Sequence, residues 1–118
     1  MGAWAAAGRE RPIVSVSGDG GFGQYLAEFN TAVKYEMNIT HILLNNSELG
    51  KISKEQKAGE WDVWQTSLHN PNFAHYAKNC GGLGIRVTKK GELDQAIKQA
   101  LDYEGAALVE IMTDAELI

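Results

Sequence analysis

Ile13-Val14-Ser15-Val16-Ser17-Gly18-Asp19-Gly20-Gly21-Phe22-Gly23 is the stretch from which the fold class follows. Its first four residues are β-rich and are stopped by a glycine cluster, which predicts a short buried strand ending in a tight turn. Behind the turn, Leu26, Phe29, Val33 and Met37 recur at spacings of three and four, so a helix is predicted from Gln24 to about Met37 with one apolar stripe. Glu28, Lys34 and Glu36 fall off that stripe. Asn38 ends the helix, and Ile39 to Leu44 predicts a second strand, covered on both faces and closed by Asn45-Asn46. The result is a strand, helix, strand unit.

The same alternation continues downstream. A short helix is expected near Ile52 to Lys57, followed by a loop that carries Trp61 and Trp64. Asn70-Pro71 predicts a helix start, because asparagine accepts from a free amide and proline lacks the donor that would be orphaned there. Phe73, Ala77 and Cys80 would share that helix's inner face, and Gly81-Gly82 would end it. Ile85 to Thr88 predicts a third strand. Leu93, Ala96, Ile97, Ala100 and Leu101 form the strongest helical stripe, and Ala106 to Met112 a last apolar strand. Strands alternating with helices imply one α/β domain over residues 1–118, with three α/β/α layers and a mostly parallel sheet.

Composition narrows the function. The chain has 118 residues, 44% of them hydrophobic, and a net charge of -4 from 15 acidic and 11 basic side chains. There is room for one core, and no basic stripe of the kind that binds nucleic acid. No apolar run approaches the ~20 residues needed to span a bilayer, and the start lacks the pattern of a secretory signal, so a cytoplasmic protein is expected. Cys80 stands alone, which excludes an internal disulfide and favours an inert buried thiol. His41, His69 and His75 lack zinc-site spacing, and Lys89-Lys90 reads as a solvated helix start.

In an open parallel sheet, ligands bind beyond the carboxyl ends of the strands. After Val16 stands Gly18-Asp19-Gly20-Gly21, glycine-rich backbone leading into a helix, where free amides favour a phosphate. Gly18, Gly20 and Gly23 also spell a dinucleotide fingerprint, with Glu48 roughly where a ribose-binding acid would stand, so an NAD-binding oxidoreductase domain is one alternative. Asp19 opposes it. A carboxylate inside a phosphate-binding turn repels a pyrophosphate by on the order of a few kcal/mol per charge pair at reduced dielectric. A hard dication resolves the conflict, since Mg2+ takes one or two carboxylates and completes its octahedron with phosphate oxygens and water. Asn45 and Asn46, at the next strand end, offer neutral amide oxygens for the same ion. Read alone, they also fit a turn whose side chains bond to backbone.

Gly18-Asp19-Gly20, 24 intervening residues and Asn45-Asn46 resemble the signature of thiamine diphosphate enzymes. Asn45-Asn46-Ser47-Glu48-Leu49-Gly50, the stretch Ile52 to Gln56, and His69-Asn70-Pro71-Asn72-Phe73-Ala74 resemble the pyruvate oxidase and quinone-dependent pyruvate dehydrogenase branch, with acetolactate synthase nearby. The resemblance runs from about Arg9 to Leu117. It implies the C-terminal thiamine diphosphate-binding domain of a 2-keto-acid enzyme, shortened at its N-terminus and inactive alone. By the same resemblance, Asp19, the Asn46 side chain and the Glu48 backbone carbonyl would ligate Mg2+. Gly18, Gly20 and Gly21 would hold the diphosphate, Asn45 would order the turn, and backbone at Leu49 and Gly50 would close over the phosphates. Ile52 and Glu55 fall where the family has substrate-side residues; as plain residues they fit an amphipathic turn with Ile52 inward and Glu55 solvated.

The resemblance assigns no catalytic residue to this chain. It places the cofactor-activating glutamate on a pyrimidine-binding domain of the same or a neighbouring subunit, in a homo-oligomer. FAD, where the parent enzyme uses it, would belong to another domain, and Lys51 stands where some flavin-dependent relatives carry an aromatic residue. Trp61 and Trp64 are expected to mark a surface facing another domain or subunit, and the same reasoning extends to Trp4. A non-catalytic interaction module retaining a dead site is the remaining alternative.

Overall fold

The computed structural model describes residues 1–116, so Leu117, the far end of the resemblance, lies outside the described residues. Four strands, β1 (Ile13–Gly18), β2 (Ile39–Asn45), β3 (Leu83–Val87) and β4 (Ala106–Met112), form one sheet in the order β1-β2-β4-β3. Every pairing is parallel: Ile13 sits opposite Ile39, Ile39 opposite Ala106, and Leu83 opposite Ala107. The helices are α1 (Gly2–Ala6), α2 (Asp19–Gln24), α3 (Ala27–Lys34), α4 (Gly50–Ala58), α5 (Phe73–Asn79) and α6 (Leu93–Leu101), the last preceded by a 3-10 turn at Lys90–Glu92. The expected α/β class and parallel sheet are present.

Helices cover both faces because successive strand residues point oppositely. On one face Leu43, Ala106 and Leu108 pack with Phe22, Phe29, Ala32, Phe73 and Ala77; on the other Ala107, Val109 and Val87 pack with Ala96 and Ala100. Leu26, Val33 and Met37 lie against the first cluster, so the stripe read from the sequence is real. Gly84 lets α5 press onto β3, since a Cβ there would lie 1.9 Å from the Ala74 carbonyl oxygen. Cys80 packs against the same cluster, half-buried.

Four expectations are corrected. The helix begins at Asp19 rather than Gln24, and it breaks at Tyr25, whose backbone (φ -122, ψ 25) leaves the helical region before α3 resumes. Tyr25 NH bonds back to the Phe22 carbonyl, closing α2 with a tight turn; an apolar spacing that stays in phase across a break cannot reveal it. β1 is an edge strand, not a buried one: Val14 and Val16 are 52% and 64% exposed, because α6 covers only the β3–β4 half of their face. The α5 cap is Asn72, whose Oδ1 accepts from His75 NH at 2.8 Å, so Asn70 is free for other work. Trp4 is buried rather than outward, beneath the Arg9 guanidinium, which sits 5.4 Å from its ring centroid.

Candidate functional site

β1 runs into α2 without an intervening loop: Gly18 is extended and Asp19 is already the first helical residue. Its carboxylate therefore sits at a helix N-terminus, favoured by the dipole, and it is almost fully buried. Two donors converge on one of its oxygens, Oδ2: Ser47 NH at 2.8 Å and Asn70 Nδ2 at 2.6 Å. Among the described residues, no hydrogen bond reaches Oδ1.

The turn after β2 supplies the first donor. Ser47 adopts φ +55, an uncommon conformation for a residue with a Cβ, and this aims its amide back at Asp19 and at Asn45 Oδ1 (3.2 Å). The second donor comes from far along the chain. Residues 66–68 pair with 47–49 through Leu49 NH to the Thr66 carbonyl (2.7 Å) and Leu68 NH to the Ser47 carbonyl (2.8 Å), folding the loop back over the strand ends and delivering Asn70.

A cavity of about 460 Å³ opens beyond these strand ends. Gly18, Asp19, Gly20 and Gly21 form one wall, and Asn46, Glu48, Leu49, Gly50 and Ile52 another. Nine sequence-predicted residues thus meet at one place. A Cβ on Gly18 or Gly21 would meet no protein atom within 4 Å, so their backbone stands open, whereas a Cβ on Gly20 would lie 2.8 Å from the Leu49 side chain, which also lines the cavity. Asn46 Oδ1 accepts from Glu48 NH at 3.1 Å, which bends the turn tip over the cavity. The Glu48 carboxyl turns instead to Ser53 and Thr66, whose hydroxyls hold it below the usual carboxylate range.

Two predicted residues lie off the cavity. Asn45 is buried behind it, and Glu55 pairs with Lys51 at 3.9 Å on the solvated side of α4. Gly23 of the dinucleotide fingerprint makes no close helix–strand approach, the task of that motif's third glycine, since a Cβ there would meet no atom within 4 Å. Sequence reasoning missed Asn70, Lys51, Thr113 and Asp114. The last two follow β4 and reach the site because β4 lies beside β2, with Thr113 NH bonded to the Asn45 carbonyl at 2.9 Å.

Among the described residues, no three His, Cys, Asp or Glu side chains gather into a cation cage. The oxygen-bearing side chains that line the cavity belong to Asp19, Asn46, Glu48, Thr113 and Asp114. Comparison with known families gives this arrangement its context: residues 1–111 match the model of the thiamine pyrophosphate enzyme C-terminal TPP-binding domain. The chain belongs to this family.

Its relatives within the thiamine enzymes are longer. YdaP of Bacillus subtilis (strain 168), provisionally named as thiamine pyrophosphate-containing, is 40% identical over 107 residues, covering 91% of this chain and 19% of that protein. The catabolic acetolactate synthase of Raoultella terrigena is 32% identical over 114 residues, 97% of this chain and 20% of the synthase. The chain thus spans about a fifth of the length of the curated relatives it matches. Benzoylformate decarboxylase from Polynucleobacter necessarius shares the fold, with a TM-score of 0.87 at 23% identity over 98% of this chain and 22% of that one. No helix among the described residues is long and apolar enough to cross a membrane.

Proposed function

We propose that this thiamine pyrophosphate-binding domain holds the diphosphate of its cofactor through Mg2+, as one part of a 2-keto-acid decarboxylating enzyme. The observation that carries the reading is Asp19: a buried carboxylate in the first turn of a helix, one oxygen saturated by Ser47 and Asn70, beside open glycine backbone. The donor set fits the ion, because Mg2+ prefers hard oxygens and brings phosphate oxygens and water to complete its shell. Asp19 Oδ1, the Asn46 amide oxygen and the Glu48 carbonyl would hold it, and the amides of Gly20 and Gly21 would meet the diphosphate. Leu49 and Gly50 would cover the phosphates, and Ile52 would face the reacting end.

When bound, the cofactor supplies the electron sink for decarboxylation. This chain's own residues bind, orient and exclude water. The glutamate that activates the cofactor would come from a pyrimidine-binding domain of the same or a neighbouring subunit, so the chain would turn over no substrate alone. Trp61 and Trp64, 70% and 71% exposed, support a surface there for another domain or subunit. Cytoplasmic location and homo-oligomeric assembly belong to the same proposal.

A melting experiment tests it. Thiamine diphosphate should raise the melting temperature only when Mg2+ is present, by up to about 2.7 kcal/mol of stability at one hundred times Kd. Asp19→Ala or Asn46→Ala should abolish the shift. Equal stabilisation by NAD without metal would overturn the proposal.

A further inference from the structure

Among the described residues, the polar side chain most completely shielded from solvent is Glu110, on β4. Its nearest formal counter-charge is Arg86, with Nε 3.9 Å from Oε2, which is long for an ion pair whose carboxylate is sealed from water. A buried carboxylate needs donors, and the two that it has are informative. Oε2 accepts from Ala74 NH at 3.1 Å, and Oε1 accepts from Asn45 Nδ2 at 2.7 Å.

The second bond fixes the polarity of everything beyond it. Because a carboxylate only accepts, the Asn45 amide must turn its NH2 toward Glu110 and its oxygen toward Ser47 and Asn70. Asn45 Oδ1 then accepts from Asn70 Nδ2 at 3.0 Å, and the same Nδ2 donates to Asp19 Oδ2 at 2.6 Å. Asn70 is thereby clamped between two acceptors, with its amide nitrogen inward. Four side chains from β4, β2, the loop before α5 and the start of α2 form one line, in which donation runs from Asn70 through Asn45 to Glu110 on one side and from Asn70 to Asp19 on the other.

We propose that Glu110, Asn45 and Asn70 are positioning residues for the cation, which lock the Asp19 carboxylate in the one orientation that turns Oδ1 to the cavity. This rests on the reading of Asp19 as the cation's ligand. Neither Asn70 nor Glu110 touches the ion; each acts through Asp19. The arrangement matters most for an ion that demands near-ideal octahedral geometry, and less for Ca2+, whose shell is flexible. Glu110→Gln cannot preserve the line, since one amide cannot accept from both Ala74 NH and Asn45 Nδ2. If its NH2 faces Asn45, that amide flips and opposes its own NH2 to the Ser47 and Asn70 donors.

The test titrates Mg2+ and Ca2+ separately into the 118-residue chain at saturating thiamine diphosphate, reading melting temperature and tryptophan fluorescence. Asn70→Ala should raise the half-saturating Mg2+ concentration about tenfold or more, as loss of an outer partner of a metal ligand does, while shifting Ca2+ much less. Glu110→Gln should reproduce that selectivity, with circular dichroism reporting whether it folds; should it not fold, Asn70→Ala decides. An unchanged Mg2+ dependence in Asn70→Ala, or equal losses for both ions, would overturn the positioning role and leave Asp19 as a ligand. A wild-type chain with no metal-dependent cofactor binding overturns both readings.

Discussion

β4 and β1 are parallel strands of one sheet, yet they live in different surroundings. From Ala106 to Glu110 every residue of β4 is buried, with helices on both faces and strands on both edges. β1 has one neighbour, an open edge, and a valine pair facing outward. All-parallel sheets are normally covered on both faces. The contrast separates two tasks: β4 anchors the core and, through Glu110, the polar line behind the site, while β1, its valines exposed, delivers Asp19 to the cavity that Leu44 also lines.

The contrast can be broken by substitution. Leu108→Ala, in the closed half, should lower stability by about 2–5 kcal/mol, because the emptied space is walled by Phe22, Phe29 and Phe73 and cannot collapse easily. A denaturation midpoint measures it, and a loss below about 1 kcal/mol would mean that the closed half is loosely packed.

A smaller effect should come from His41, on the covered face of the β1–β2 half. Its ring lies between Ser15 (2.5 Å to Nδ1) and Ser17 (2.9 Å to Nε2) and packs at a 35° tilt against Phe22, with centroids 4.7 Å apart. Burial pushes its pKa down to about 4. The unfolded chain binds a proton near 6.5 and the folded chain does not until about 4, so this contribution is intact above pH 6.5 and is lost as pH falls through that window. Melting temperature measured from pH 7 to 4.5 should therefore fall, and His41→Asn should flatten the slope. An equal slope in the variant would place the acid sensitivity elsewhere.

The smallest effect belongs to the open edge. Val16→Ala should change stability by no more than about 0.5 kcal/mol in this chain, as expected for a surface position. A loss as large as that of Leu108→Ala would show that the edge is covered in solution.

The strands were legible in the sequence because a β-rich run bounded by glycine or asparagine has few other uses. Ala106 to Met112 was read to the residue, and the glycine cluster and the Asn pair correctly marked the strand ends that flank the cavity. Covering was not legible. Val14 and Val16 look the same in a central strand and at an edge, and only the reach of α6 distinguishes the two. Asn70 was misread for a related reason. Asn70 and Asn72 flank the same proline, either can cap a helix, and the choice depends on residues 66–68 pairing with 47–49, a contact that no local pattern announces. The break at Tyr25 stayed hidden because the stripe survives it.

The direct passage of β1 into α2 has a consequence for how such a site can vary. With no slack between Gly18 and Asp19, the carboxylate is indexed to the ladder like a tooth on a rack: Gly18 faces Leu44, and the asparagine pair follows at the next step. Inserting or deleting one residue in 13–19 would throw Asp19 to the opposite side of the sheet. Length can vary more freely between 54 and 65, outside the pairing of 47–49 with 66–68 that delivers Asn70 to Asp19.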